Sequence, residues 1–161
     1  MLRTKEWLQN EFNQLTRDHF PQIEQTDSIR IVFGRPTAVR LGSIRLMKPS
    51  DPAEGTLIRV NGLFRNPRIP RFVVREVIAH ELAHWVHGVH TVSERAYRHP
   101  HRGGVVGREL VDRWLKEVVY LSKTWLKRNW QPFVREARAQ GILKRPILRN
   151  RLRRKRFVWI S

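Results

Sequence analysis

The chain contains no cysteine. Disulfides and thiolate-bound metals are therefore excluded, and any metal would have to be held by imidazole or carboxylate. Acids are scarce, with 14 Asp+Glu against 32 Lys+Arg in 161 residues and a formal net charge of +18. An imbalance of that size points to a polyanionic partner. Long apolar runs are missing too: no stretch approaches the ~18 consecutive apolar residues of a membrane span. The start, Met1-Leu-Arg-Thr-Lys-Glu-Trp7, lacks the apolar core of a signal peptide. The expectation is a soluble, cytoplasmic protein with no membrane partner, in which the positive charge would also suit association with the nucleoid. Methionine is confined to Met1 and Met47.

The charge that is present is uneven. Residues 122–161 carry 13 Lys+Arg and a single acid, Glu136, for +12; the preceding 121 residues carry 19 against 13, for +6. Arg outnumbers Lys 25 to 7, a bias that genome composition alone can produce. The length fits one domain with a core of its own. We place that domain at 1–141 and a basic tail at 142–161.

Along the chain, Leu8, Phe12 and Leu15 form one stripe, which predicts a helix over 4–19 that ends at Pro21. Strands are predicted at 28–34, 41–47 and 56–61 from alternation and branched residues, with Gly34, Pro36, the Pro49–Gly55 loop and Gly62 as punctuation. A turn at Asn66–Pro70 launches a helix near Arg71 that should stop near Gly88, a residue suited to a left-handed C-cap. Residues 89–104 read as a polar connector. From Val105 the stripe Val106, Leu110, Trp114, Val118, Leu121, Trp125, widened by Val111, Leu115 and Val119, predicts one long, well-buried helix. Pro132 should interrupt it, leaving a short last helix over 133–140 that ends at Gly141. No internal repeats occur. The fold class is α+β: an N-terminal helix, a twisted sheet of about three strands, a second helix, a connector and a long buried helix.

The second helix carries the chemistry. It contains His80-Glu-Leu-Ala-His84, and residues four apart on a helix share a face. His80 and His84 can thus aim ring nitrogens at one zinc ion, Zn2+, while Glu81 stands beside it, placed to take a proton from an activated water. Val74, Val77, Ile78, Leu82 and Val86 would bury the remainder. The same spacing arises by chance in roughly 2 per cent of shuffled sequences of this composition. Context therefore has to decide, and six of the chain's seven histidines fall between 80 and 101. The bland alternative is a buried helix whose histidines only satisfy neighbouring polar groups.

A catalytic zinc usually keeps three protein ligands and one open position. Three residues compete for the third place. His90 has metzincin spacing from His84, but His87 occupies that pattern's glycine position and no methionine follows for a Met-turn. Glu109 would be the ligand of a gluzincin, or else an ordinary acid favoured in a first helical turn. His101 lies in Arg98-His-Pro-His-Arg-Gly-Gly104, where two glycines let the backbone pass close to the metal. We assign His101, with Glu109 as the acceptor for a ligand histidine's second ring N–H.

Val77-Ile-Ala-His-Glu-Leu-Ala-His84 followed by Pro100-His101-Arg-Gly ahead of a helix resembles the SprT-like/Spartan metallopeptidases. The resemblance spans roughly residues 28–128, with specific residues only at 80–84 and 100–104. It implies a small zincin-like core and a zinc protease acting on protein associated with DNA. It also implies metal binding by His80, His84 and His101, and a base role for Glu81. Arg102 separates the histidine from its glycine, and the cysteine zinc ribbon that many relatives carry cannot form here.

The function expected is that of a zinc-dependent metalloendopeptidase, with a protein or peptide substrate extended along an exposed strand edge. Thr56–Asn61 is the strand proposed for that edge, and Arg102 a candidate to assist the oxyanion. The alternative is a non-catalytic nucleic-acid-binding module in which the metal only pins the fold. Residues 144–156 place eight cations in thirteen residues, a density suited to phosphate contacts. Arg149, Arg151, Arg153, Arg154, Lys155 and Arg156 are the nucleic-acid-binding candidates there. Trp125, Trp130, Phe157 and Trp159 are aromatics that could stack on bases or, equally, pack as core.

Overall fold

A computed structural model describes residues 1–23, 29–48, 55–89, 105–113 and 115–143. Four helices accompany a three-stranded sheet: α1 (Lys5–His19) and α2 (Arg71–His84) pack on the strands, and α3 (Val105–Asp112) and α4 (Lys116–Ala139) pack on α2. The strands are β1 (Ile29–Phe33), β2 (Gly42–Leu46) and β3 (Thr56–Val60). In α1 the Thr4 hydroxyl accepts from the Trp7 N–H at 3.2 Å and caps the helix. Leu8, Phe12 and Leu15 are buried, as their spacing predicts. Arg3 anchors the start by donating to the carbonyls of Phe64 and Ile69.

The sheet order is β1-β3-β2, with β1 parallel and β2 antiparallel to β3. This corrects the strand chosen for an exposed edge. Thr56–Val60 is central and paired on both sides, and among the described residues the edges belong to β1 and β2. The reason is burial: four of the five β3 residues are buried, as befits a strand covered on both flanks. Side chains alternate, so Ile31, Ile44, Ile58 and Val60 face the helices while Arg30, Arg59, Ser43 and Arg45 face away.

α2 is held on several sides, against α1, α3, α4, β2 and β3. Val73, Val74, Val77, Ile78 and Leu82 have no exposed surface. Glu11 of α1 ties it down with ion pairs to Arg71 at 2.7 Å and Arg75 at 3.1 Å. The helix does not reach a left-handed glycine cap. After His84 its winding widens to a π-type turn over Trp85–Val89, and Gly88 is not among the glycines with positive φ.

Two further expectations are corrected at the C-terminal side. The long helix from Val105 is two helices, broken around Arg113. There the Leu115 N–H reaches the Leu110 carbonyl, and the His19 ring sits 2.9 Å from the Arg113 carbonyl to cap the end of α3. The break resets the helical face. Leu115, Val119, Ser122, Leu126, Trp130 and Phe133 are buried, whereas Val111 and Leu121 are exposed. Pro132 does not interrupt α4, which runs on to Ala139. The ring lies on the solvent side, and buried Trp130, Phe133, Val134 and Ala137 carry the helix past it. Gly141, at φ 72°, ends the segment as expected.

Candidate active site

The i, i+4 spacing on α2 brings the two imidazoles of His80 and His84 together on one face. His80 Nε2 and His84 Nε2 lie 3.2 Å apart, with the rings edge to face at 4.8 Å. Two nitrogens each ~2.0–2.1 Å from one tetrahedral zinc would stand about 3.3–3.4 Å apart, so the pair fits a shared ion. Both rings are buried.

Glu81 points from the same helix toward β2 and is 2% exposed. A Cβ built on Gly42 would lie 2.5 Å from Glu81 Oε1 and 2.8 Å from Val77 Cγ1. Glycine at 42 is therefore what leaves room for the carboxylate. Among the described residues no hydrogen-bond partner meets Glu81 Oε2. Burial pushes the Glu81 carboxyl well above the usual carboxylate range; the negative charge of Glu76 adds to this and Arg40 opposes it. A buried group with one open oxygen and a raised proton affinity can hold a proton and pass it on.

Glu76 was not singled out in the sequence. It stands one turn before His80, so Glu76, His80 and His84 form a polar stripe at i, i+4, i+8 along an otherwise apolar helix. Glu76 is 2% exposed, and its Oε2 accepts from the Ser122 hydroxyl of α4 at 3.3 Å. Burial raises its carboxyl to about 7, with the Ser122 hydrogen bond and the Lys123 charge pulling the other way. The signal was available: a carboxylate on the same stripe as His80 and His84, among apolar neighbours, has to be buried.

Glu109 stands apart from the His80–His84 pair. Arg113 grips its Oε1 through Nε at 2.7 Å and Nη2 at 2.6 Å, and its Oε2 faces His87 Nε2 at 3.6 Å. It thus serves an ion pair one turn along α3 and faces a histidine outside the His80–His84 pair. Among the described residues, no three His, Asp or Glu side chains group so as to hold a metal. His90, His101 and Arg102 lie outside the described residues, as do Arg149, Arg151, Arg153, Arg154, Lys155, Arg156, Phe157 and Trp159. Trp130 is not a stacking surface. It is fully buried, donates from Nε1 to the Ala38 carbonyl at 3.0 Å, and packs edge-on against Phe64. Trp125 is partly buried against the same core.

Among the described residues no helix is long and apolar enough to cross a membrane. Comparison with protein-family models, with curated proteins and with solved structures gave no match to this chain.

Proposed function

We propose that the chain is a zinc-dependent metalloendopeptidase of SprT-like type that hydrolyses peptide bonds with Glu81 as general base. One observation carries the reading: two buried imidazoles stand at the separation a shared zinc requires, on the helix that also buries Glu81. Zinc bound there would supply Lewis acidity, polarising a peptide carbonyl and acidifying water. His80 and His84 would hold it through Nε2, and His101 is proposed to complete the set. Glu81 would accept a proton at Oε2 during attack and return it to the leaving amine. Burial strengthens its hold on that proton, and the charge of Arg40 opposes this only in part. The proposed seat for an extended peptide moves from β3 to β2. That strand is paired on one side only among the described residues, and it runs past Glu81 at Gly42.

A second reading, a metal that only pins a non-catalytic nucleic-acid-binding module, is favoured by the depth at which Glu81 is buried. Replacing Glu81 by Gln separates the two. The enzyme reading expects about one zinc per chain in both parent and variant, with hydrolysis of an unfolded or DNA-bound protein only in the parent. Equal hydrolysis by both would remove Glu81 from the mechanism. No zinc in the parent, even after zinc is added, would remove the site.

A further inference from the structure

Residues 29–48 and 55–75 contain ten Lys+Arg and no Asp or Glu. Several of these cations have structural duties. Arg71 and Arg75 pair with Glu11, Arg68 with Glu136, Arg65 lies over the Phe33 ring at 4.7 Å, and Arg45 donates to the Leu46 carbonyl. Arg35, Arg40 and Arg59 make no such contact. All three are exposed, and among the described residues no carboxylate lies within ion-pair range of them. They line one groove of about 770 Å³ at the end of the sheet, together with Thr37, Ser43 and Asn61.

The groove is built rather than incidental. Its loop, residues 34–41 between β1 and β2, is organised by the buried side chain of Asn61. The Asn61 amide donates to the carbonyls of Thr37 and Arg40, both at 2.7 Å, and its oxygen accepts from the N–H groups of Thr37 and Leu63. The Thr37 hydroxyl accepts from the N–H groups of Val39 and Arg40, and Trp130 holds the Ala38 carbonyl from the other side. A Cβ at Gly62 would collide with the Gly34 carbonyl oxygen and the Pro36 nitrogen, so glycine there lets the loop close down. Three guanidinium groups are thus set on a backbone already ordered, which lowers the cost of binding.

We infer that this groove binds the phosphodiester backbone of a nucleic acid, through Arg35, Arg40 and Arg59, without reading its sequence. The lining favours that occupant over an acidic protein segment. Leu41 and Val60 are buried and Phe33 lies beneath Arg65, so Pro36 is the one exposed apolar side chain in the lining and no large aromatic or aliphatic anchor is offered. Protein interfaces draw most of their energy from such anchors, whereas a phosphate backbone needs only charge and hydrogen-bond donors. The chain's overall charge of +18 would draw the same partner in. The groove lies apart in sequence from the basic tail; it shares Gly42 and the charge of Arg40 with the Glu81 side of the sheet, so its binding is read by anisotropy and not by hydrolysis.

The test uses the full chain and a fluorescein-labelled 20-nucleotide DNA of mixed sequence, single-stranded and duplex, followed by anisotropy across a salt series. In the triple variant Arg35→Gln, Arg40→Gln, Arg59→Gln, affinity should fall roughly tenfold or more. The slope of log K against log salt should become shallower by about 2 on the single strand and by close to 3 on the duplex. Replacing the same three by Lys should restore most of both. The side chains are exposed, so the variants should melt with the parent. Parental affinity and slope in the glutamine variant would overturn the assignment. Tighter, equally arginine-dependent binding of a polyglutamate peptide would overturn it in favour of an acidic protein partner.

Discussion

α2 and α4 pack against each other, yet they are built on opposite plans. α2 buries 11 of its 14 residues, and four of those are ionisable: Glu76, His80, Glu81 and His84. α4 buries seven of 24, with Ser122 the one polar side chain among them, and shows solvent Lys116, Tyr120, Lys123, Lys127, Arg128 and Arg135. A helix that only supports a fold has no reason to bury four titratable groups, because each costs free energy unless it is paired or neutralised. α2 therefore bears its polar stripe at the expense of stability, and α4 offsets this with apolar packing. The largest expected effect tests that contrast directly. Leu82→Ala, at a site with no exposure, should cost about 2–5 kcal/mol in urea unfolding, whereas Lys127→Ala on α4 should stay within about 0.5 kcal/mol. Comparable losses in the two variants would erase the distinction.

The buried carboxyls predict how stability moves with pH. The Glu76 carboxyl titrates near 7 in the folded chain against 4.5 for an ordinary glutamate. Between those values the unfolded chain releases its proton while the folded chain keeps it. The contribution is therefore fully present below about pH 4.5, lost as pH rises to about 7, and constant above that. The span corresponds to at most ~3 kcal/mol. Glu81, raised by burial, acts in the same sense. Glu76→Gln should remove its share, so the parent should lose more stability than the variant between pH 5 and pH 8. Parallel curves for the two would mean that Glu76 is not held neutral. This is a difference between two proteins, so the carboxyls that hydrogen bonds lower in both, at Glu6 and Glu136, cancel.

How much could be read beforehand follows from what each signal measures. Apolar spacing reports burial, so α1, the three strands and α2 were legible, as was the pairing of His80 with His84. Spacing does not report which strand is central, because alternation is the same at an edge. The excess burial of Thr56, Leu57, Ile58 and Val60 is the feature that distinguishes β3. Nor did it find the break at Arg113, since no glycine or proline marks it; the bonds between His19 and Arg113 are made across the fold. Asn61 and Gly42 were illegible for a related reason, as each matters through a partner distant in sequence. Glu76 was legible and passed over.

Gly42 links the sheet to α2 and gives the next prediction in size. In Gly42→Ala the new methyl would meet Glu81 Oε1 and Val77 Cγ1 at contacts no real Cβ tolerates. Overpacking of this kind typically costs about 1–3 kcal/mol. If Glu81 gives way rather than the helix, hydrolysis should fall further than stability does. A variant with parental melting and parental turnover would show that Glu81 does not rest against β2.

The smallest effect concerns the end of α4 and would sharpen the contrast rather than break it. Proline inside a helix removes one i→i−4 hydrogen bond and crowds the preceding turn, at about 3 kcal/mol in a bare host helix. Here Arg128 and Pro132 both lie on the solvent side, so water can serve the Arg128 carbonyl that Pro132 leaves without a helical donor. Trp130, Phe133 and Val134 on the opposite side hold the axis in place. Proline also restricts the unfolded chain, which returns roughly 0.4–1 kcal/mol to the folded state. Pro132→Ala should therefore stabilise the protein by only about 1 kcal/mol, read as a rise in the urea midpoint at unchanged slope. A loss of stability instead would mean that the proline sets the direction in which Trp130 and Phe133 enter the core. In that case α4 would be shaped around a particular residue, as α2 is, and not by burial alone.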